Sequence, residues 1–452
     1  MTDAAQSFQG YGSKSYRAYV LGALLVIYTF NFVDRILLGV VQEEVGRDLH
    51  IGDFQLGLLG GPAFAVLYTL MGIPIARYAE RHNRISIVAI GAAVWSVMTA
   101  ACGFANNFLQ LTLARIGVGI GEAACTPPSH SVISDYFPAS RRASALGIWA
   151  LGIPIGTMLA AVGGGWLVAN VDWRAAFWLL GAPGLLAALA LRLTVREPPR
   201  SGEATTAPSF SETVKALLAK RSFWHIAIAG ALMSFVGYST AQFLRSYIVR
   251  NFDLGPTPQI EGLNAAYAFG AIAGFAVAIG TFLGGFLSDR LSHRYPRVYA
   301  WLPMLGVLVA APLYLLSFTQ TSFWPAFAIL MVAPIFHYLY LGPGFAVIQS
   351  IAAPRMRATS TAVLLLIMNL IGYGLGPPVM GALSDFFANS ELTALGLSVA
   401  ACKADPATAA AACAPAMAHG LKYAMMCVVS VLFWPALHFW LAGRTLLKDR
   451  VG

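Results

Sequence analysis

The sequence predicts an all-α membrane protein with twelve transmembrane helices in two pseudo-symmetric six-helix bundles. Apolar residues make up 58% of the 452 positions and charged residues only 11%, whereas soluble domains carry about 25% charged residues. The mean hydropathy is +0.68. The apolar residues fall into twelve runs of about 20 residues, which is the length that crosses a bilayer. Two polar motifs in the loops between these runs each occur twice. This pattern excludes a soluble globular protein.

Six spans are predicted on each side of one long polar stretch. The first six lie at about 16–41, 54–76, 85–104, 108–134, 143–169 and 175–195, and the second six at about 223–243, 264–287, 298–318, 323–350, 358–384 and 419–443. The polar stretch between them is rich in Pro, Ser, Thr and Gly, which is typical of a linker. We therefore expect an N-terminal six-helix bundle over 1–195, a linker over 196–222 and a C-terminal six-helix bundle over 223–452.

The basic residues predict the orientation. With both termini on one face, that face and the linker hold most of the 29 Lys and Arg residues, and the opposite face keeps a few, such as Arg245 and Arg250. Cytoplasmic loops carry the excess of positive charge. The sequence thus predicts an integral, multi-pass protein of the cell inner or plasma membrane, with cytoplasmic termini and linker.

The second half repeats the plan of the first. An acid followed by arginine stands after the second span, at Glu80 and Arg81, and again after the eighth, at Asp289 and Arg290. Arg141 after the fourth span and Arg357 after the tenth are separated by nearly the same number of residues as Glu80 and Asp289. Parallel six-helix repeats are an architecture of transporters that hold substrate at mid-depth.

Four segments resemble the spinster family of lipid transporters within the major facilitator superfamily. They are NFVDR at 31–35, LARIGVGIGEA at 113–123, ISDYFPASRRASALG at 133–147 and VREPPR at 195–200. The resemblance implies the major facilitator fold and proton-linked movement of sphingosine-1-phosphate or lysophospholipid-like molecules by rocker-switch alternating access.

The resemblance also implies a latch at the cytoplasmic helix ends. Glu80 and Arg84 stand where the superfamily's cytoplasmic motif has Asp and Arg, although Ala76 replaces the opening Gly of that motif. The second copy, GFLSDR at 285–290, matches better. The candidate latch residues are Glu80, Arg81, Arg84, Asp289 and Arg290. The alternative for the arginines is ordinary topology signalling.

Four charged residues lie inside predicted spans, Asp34 and Arg35 in the first and Arg115 and Glu122 in the fourth. A charged side chain at that depth has a high free-energy cost, so it normally faces a cavity or pairs with another group. Because Arg115 and Glu122 are seven residues apart, they share one helix face. We expect Asp34 or Glu122 to take up a proton, and the guanidinium of Arg35 or Arg115 to bind a phosphate or carboxylate head group. Glu122 is also a candidate substrate-binding residue. The alternative is that Asp34 with Arg35, or Arg115 with Glu122, form fixed ion pairs that only lock the first and fourth spans.

Weaker candidates are isolated polar residues in apolar runs. Tyr238, His337 and Asn369 are candidate substrate contacts, and interhelical hydrogen bonding is the more frequent use of such residues. Cys402 and Cys413 lie in a loop assigned to the extracytoplasmic face, where a disulfide and two free thiols are both compatible with the sequence.

The sequence favours a secondary transporter over an enzyme. A P-loop is absent from the sequence, as are metalloprotease and serine-hydrolase motifs, so we expect no cofactor or metal and no direct use of ATP. The expected partners are a lipid-like substrate, protons and the bilayer, with no nucleic acid, and we expect a monomer. The alternative is a proton-coupled multidrug or small organic-anion transporter of the same superfamily. Because the in-span charges all lie in the first half, a ligand with one polar and one apolar end is favoured.

Overall fold

The computed structural model describes residues 11–200, 210–252, 265–353, 356–404 and 406–450, and the regular structure in these ranges is helical. Twelve helices there are long and apolar enough to cross a membrane, which confirms the predicted number. Numbered α1 to α12 in chain order, they are Lys14–Asp48, Asp53–Ala79, Arg84–Cys102, Phe108–Tyr136, Ser144–Asn170, Trp173–Thr194, Arg221–Asn251, Ala265–Ser292, Val298–Phe318, Phe323–Ile351, Thr359–Thr393 and Cys413–Asp449. Shorter helices at Phe210–Leu218 and Val399–Ala404 lie between spans.

Several spans are interrupted near their middle. α4 consists of Phe108–Glu122 and Thr126–Tyr136, with Pro127 and Pro128 in the first turn of the second piece. α10 contains the 3₁₀ turn Tyr338–Tyr340, and α5, α8 and α11 contain the π-helical turns Ala160–Gly164, Ala271–Ala276 and Met368–Tyr373. Such interruptions shift the helical register and often accompany functional sites.

α1 and α7 are the most enclosed of the spans. Large apolar side chains on the outer spans, such as Leu186 and Leu193 of α6, are exposed on the surface of the bundle, as expected where a bundle meets lipid tails. Because α1 lies at the centre, the in-span charges Asp34 and Arg35 are held inside the protein.

We refer to α1–α6 and α7–α12 as the N-terminal and C-terminal halves. They meet where α1 packs on α7, α2 on α11 and α5 on α8. Glycine permits this close approach, since a Cβ atom on Gly57 would lie 2.4 Å from the carbonyl oxygen of Pro377, and one on Gly270 would lie 2.7 Å from the Cβ of Ala161. The boundaries at 195 and 223 stay a prediction, and part of the predicted linker, 201–209, lies outside the described residues.

Candidate functional site: a buried charge cluster and a sealed face

Arg35 and Glu122 form an ion pair between α1 and α4. The Nη2 atom of Arg35 lies 2.6 Å from Oε2 of Glu122, and its Nε atom lies 3.2 Å from the same oxygen. The guanidinium also lies 4.8–5.0 Å from the ring centroids of Phe32, Phe64 and Tyr68, where the negative faces of aromatic rings attract a cation. The Glu122 side chain is fully buried and that of Arg35 is 10% exposed, so Arg35 is the member of the pair that a ligand can reach.

Asp34 and Arg115 lie beside this pair and are less well satisfied. Arg115 donates from Nη1 to the carbonyl oxygen of Asp34 at 3.3 Å and from Nε to that of Leu59 at 3.5 Å. Both residues are buried. Within the described part of the chain, the two carboxylate oxygens of Asp34 and the Nη2 atom of Arg115 have no hydrogen-bond partner. Buried polar groups are normally paired. Asp34 therefore has unused capacity to hold a proton or a ligand atom.

The predicted cluster is thus brought together, with a pairing that the sequence left open. The two alternatives were Asp34 with Arg35 and Arg115 with Glu122, whereas the structure joins Arg35 to Glu122. Electrostatically, Asp34 has Glu122 and Arg115 as neighbours, and the Thr99 hydroxyl lies beside it. The functional roles of these residues remain predictions.

The C-terminal half presents tyrosines to this cluster. Tyr373 of α11 packs on Phe64 with ring centroids 5.2 Å apart and stacks on Tyr238 at 4.4 Å. Both tyrosines are electrostatic neighbours of Arg35. Tyr238 was a candidate from the sequence, but Tyr373 was missed. The only sequence feature that could have indicated Tyr373 is the break of the apolar run at residues 372–374.

The other two candidates of this half lie elsewhere. The buried His337 bonds through Nε2 to the carbonyl oxygen of Met233 at 3.1 Å, as in the alternative of an interhelical hydrogen bond. Asn369 is half-buried in the π-helical turn of α11 that ends at Tyr373.

Two of the five candidate latch residues, Arg84 and Asp289, form bonds that do not cross between the halves in this conformation. Arg84 binds Glu197 at 2.6 Å and also binds Asp135, and Asp289 accepts from the Tyr299 hydroxyl at 2.9 Å. The remaining three are exposed, namely Glu80, Arg81 and Arg290. Among the described residues, the bonds found for this set do not connect the halves, so its latch role stays a prediction for another conformation.

Ion pairs between the halves occur at the opposite end of the bundle. Arg250 of α7 binds Glu43 of α1 at 2.7 Å and Asp53 of α2 at 2.6 Å. Arg245, one turn earlier, binds Glu44 through two bonds of 2.9 and 3.0 Å. We call this surface, formed by these five residues together with Ser384 and Asp385, the sealed face.

α11 completes the sealed face at the first turn of α2. The Asp385 carboxylate accepts from the backbone N–H groups of Asp53 at 3.2 Å and Phe54 at 2.9 Å, and the Ser384 hydroxyl donates to Asp53 at 2.6 Å. A carboxylate is favoured at a helix N-terminus, where backbone donors are unpaired. Here the anion that caps α2 belongs to the other half, so separation of the halves would expose the end of α2.

A disulfide joins Cys402 and Cys413, which decides between the two sequence alternatives. Both cysteines are buried in a small cluster with Ala388, Leu392 and Val399. The bridge therefore fixes the short helix Val399–Ala404 to the start of α12, and the apolar cluster packs both against the end of α11.

Comparison with known proteins decides the family. The model of the Major Facilitator Superfamily matches residues 24–377. The chain belongs to the major facilitator superfamily. Within the superfamily it is spinster-like: a bacterial homologue of the human lysosomal transporter spinster, solved in an inward-facing and unoccupied conformation, is 39% identical, with a TM-score of 0.87 over 98% of this chain and 100% of that one.

Relatives of this major facilitator protein carry two kinds of name. An MFS-type efflux pump of Mycolicibacterium smegmatis is 32% identical, with 81% of this chain and 84% of that protein aligned. Protein spinster of Drosophila melanogaster is 29% identical over 81% of this chain and 62% of that protein, and human spinster homolog 1 is 27% identical over 85% and 78%. A nucleoside transporter, 11% identical with a TM-score of 0.71, shares the fold alone. The protein is therefore a multi-pass transporter of this superfamily.

Proposed function

We propose that this protein moves an amphipathic lysolipid, such as sphingosine-1-phosphate or a lysophospholipid, in a proton-coupled cycle of rocker-switch alternating access. The observation that carries the proposal is the Arg35–Glu122 pair, a partly exposed guanidinium held by a buried acid and three aromatic rings. A phosphate or carboxylate head group can bind such a guanidinium through two parallel hydrogen bonds.

Proton coupling follows from competition for Arg35. While ionised, Glu122 occupies the Nε and Nη2 donors that an anionic head group needs. Protonation of Glu122 removes its charge and releases Arg35 to the ligand. Asp34, buried and without a hydrogen-bonded carboxylate oxygen among the described residues, is the second proposed proton site. Arg115 would keep positive charge near the head group.

The lipid-like chemistry of the substrate is supported by the asymmetry of the two halves. The charged cluster around Arg35 and Glu122 lies on α1 and α4, whereas the facing surface of the C-terminal half offers Tyr238 and Tyr373. A small dianion would be expected to meet basic residues from both halves. A ligand with one charged end and one apolar end fits this distribution. His337 and Asn369 remain proposed contacts further from the head group.

The proposed orientation places the sealed face outside the cytoplasm. The distribution of Lys and Arg supports it, and so does the Cys402–Cys413 disulfide on the same side, because disulfides persist in oxidising compartments. In the alternating cycle, the sealed face would open while Glu80, Arg81, Arg84, Asp289 and Arg290 approach the opposite half. The site lies within one chain, so we propose that a monomer is the working unit.

Reconstitution into vesicles tests the function. Purified protein would receive lysolipids, cationic drugs and sugar acids in turn, under imposed pH gradients of both signs. We expect gradient-dependent movement of lysolipid, and its loss in Glu122→Gln. Glu391→Gln is the matched control, because Glu391 is exposed and bonds only weakly to His419 at 3.2 Å.

The outcomes separate the candidates. Movement of a drug or a sugar acid without lysolipid transport would refute the lipid proposal, and the drug arm is included because one relative is an efflux pump. Undiminished gradient-driven transport by Glu122→Gln would exclude Glu122 as the coupling residue.

A further inference from the structure

A layer of neutral polar side chains joins the two halves between the charge cluster and the sealed face. Gln242 of α7 donates from Nε2 to Oε1 of Gln42 on α1 at 2.7 Å. Gln42 in turn donates from its own Nε2 to the Ser246 hydroxyl of α7 at 2.5 Å. All three residues are buried, and we call them the amide layer. Neither the proposed head-group site nor the sealed face includes them.

The amide layer lies at an intermediate depth on both helices. On α1, Gln42 follows Arg35 by seven residues, which is about 10 Å along the helix axis. On α7, Tyr238, Gln242 and Ser246 follow one another at intervals of four residues, so they lie on one face of that helix. Tyr238 is a neighbour of Arg35, and Ser246 adjoins the arginines of the sealed face. A ligand that moves between Arg35 and the sealed face therefore has to pass the amide layer.

Two glycines of the N-terminal half receive the Gln242 side chain. A Cβ atom on Gly60 would lie 2.6 Å from the amide oxygen of Gln242, and one on Gly39 would lie 3.4 Å from the backbone carbonyl oxygen of Gln242. α2 is interrupted at this point, since it consists of Asp53–Gly60 and Pro62–Ala79. The Gln242 amide thus fills a niche that a larger residue at position 60 would occupy.

Neutral side chains suit a contact that opens and closes at this depth. When the halves separate, each amide exchanges a hydrogen bond to protein for one to water, and the net change in free energy is small. An ionised side chain in the same place would lose its hydration each time the halves close. The amide layer can therefore form and break in every cycle.

We propose that the Gln242 side chain is the inner gate of the route between Arg35 and the sealed face. In this conformation its amide fills the niche at Gly60 and blocks the route, and it leaves the niche before an anionic head group passes. This inference rests on the proposed function and adds a second barrier beneath the ion pairs of the sealed face. The ion pairs hold the outer end closed, and the amide layer fills the route below them.

The test compares labelling of one cysteine at the head-group site from the two sides of the membrane. Tyr238→Cys is placed in a background of Cys427→Ser and Arg250→Ala, in which the sealed face is weakened. Membrane vesicles of both orientations receive a membrane-impermeant thiol reagent. Labelling of Arg47→Cys, exposed near the end of α1, identifies the vesicles that present the sealed face. From that side, Gln242→Ala should raise the labelling rate at position 238 about fivefold, the factor that one net hydrogen bond provides. From the opposite side the rate should not rise, which distinguishes an open gate from a loosened fold.

The niche provides a second way to displace the amide. Gly60→Ala puts a methyl group where the Gln242 amide lies, and the flexible end of that side chain can move away. We expect faster labelling at position 238 from the sealed side, and little further increase when Gly60→Ala is combined with Gln242→Ala, because both changes remove the same contact. The matched controls are Gly72→Ala on α2, whose Cβ atom would meet no other atom within 4 Å, and Gln349→Ala, exposed on α10.

The inner gate and the proposed function can fail separately. Equal labelling rates at position 238 with and without the Gln242 amide would overturn the inner gate, and so would an equal increase in Gly72→Ala, even if lysolipid is transported. Labelling needs no substrate. A rate that both Gln242→Ala and Gly60→Ala raise from the sealed side alone would therefore support the gate even if no lysolipid moves, and only the proposed transport of lipid would then be wrong.

Discussion

The two halves share a helical plan but use their interiors differently. In the N-terminal half, α1 and α4 bury Asp34, Arg115 and Glu122 and hold the partly exposed Arg35 beside them. In the C-terminal half, α10 buries His337, which bonds to a backbone carbonyl, and the neighbouring polar groups are hydroxyls. α4 and α10 are both interrupted in mid-span. The repeated plan therefore provides two similar irregular helices, α4 and α10. The residues near their interruptions are charged in the N-terminal half and nearly neutral in the C-terminal half.

In the proposed alternating cycle, this difference indicates where the bundle can hold buried charge. The Arg35–Glu122 pair lies wholly within one half, so motion between halves leaves it intact. The ion pairs that do cross between halves, such as Arg250 with Asp53, are as buried in this conformation, but they lie at helix ends, where separation of the halves would expose them. A charge separated there regains water, whereas an unpaired charge at mid-depth does not. The cross-half bonds can therefore break at lower cost.

The largest expected effect comes from removing one partner of the mid-depth pair. Arg35→Met leaves Glu122 buried without its ion-pair partner, which costs about 3–5 kcal/mol when the acid stays ionised. We expect a large fall in Tm in detergent. The double variant Arg35→Met with Glu122→Gln should recover most of that fall, because no charge is then left unpaired.

The control is the same substitution at an exposed arginine of the same helix. Arg47 lies near the end of α1 and is exposed, so Arg47→Met should leave Tm nearly unchanged. A double variant no more stable than Arg35→Met would show that the loss comes from packing against Phe32, Phe64 and Tyr68 instead of from unpaired charge.

A smaller effect is expected at the sealed face. Arg250→Ala removes the bonds to Glu43 and Asp53 and should shift the population toward conformations that open this face. Ser246→Cys provides the probe, because Ser246 is fully buried on α7 beside Gln42. In a Cys427→Ser background, we expect a membrane-impermeant thiol reagent to label Cys at 246 faster when Arg250 is replaced.

An ion pair on the same side of the bundle supplies the control. Arg174 binds Asp48 at 2.7 Å, but both residues belong to the N-terminal half. Arg174→Ala should leave the labelling rate at position 246 unchanged. Equal acceleration by both variants would mean that the cross-half pairs have no special part in closing this face.

The helices and the cluster could be predicted because they depend on local patterns. Apolar runs of spanning length fixed the number of spans, and seven-residue spacing put Arg115 and Glu122 on one face. The partner of Glu122 could not be predicted, since it depends on how α1 and α4 are rotated against each other. The turn between Glu122 and Thr126 changes that rotation, and a plain helical pattern does not contain it.

The sealed face was missed for a different reason. From the sequence, Arg245 and Arg250 serve only as charges that report orientation, and the acids at 43, 44 and 53 lie between the predicted spans 16–41 and 54–76. α1 in fact continues beyond its predicted end at residue 41 to Asp48. The arginines of α7 neutralise Glu43 and Glu44 there. The residues in these contacts are some 200 positions apart in the sequence, so no local sequence pattern predicts their pairing.

The smallest effect is expected at His337, the one imidazole that is buried among the described residues of the C-terminal half. In His337→Gln, the side-chain amide can still donate to the Met233 carbonyl, so stability should change by no more than about 1 kcal/mol, the net value of a hydrogen bond. Because no described residue gives His337 a charged neighbour comparable to Arg35, proton-driven transport should keep its dependence on pH. Transport assays over a pH series, run beside Glu122→Gln, measure this. A pH dependence lost in His337→Gln but kept in Glu122→Gln would move proton coupling to the C-terminal half and reverse the contrast between the halves.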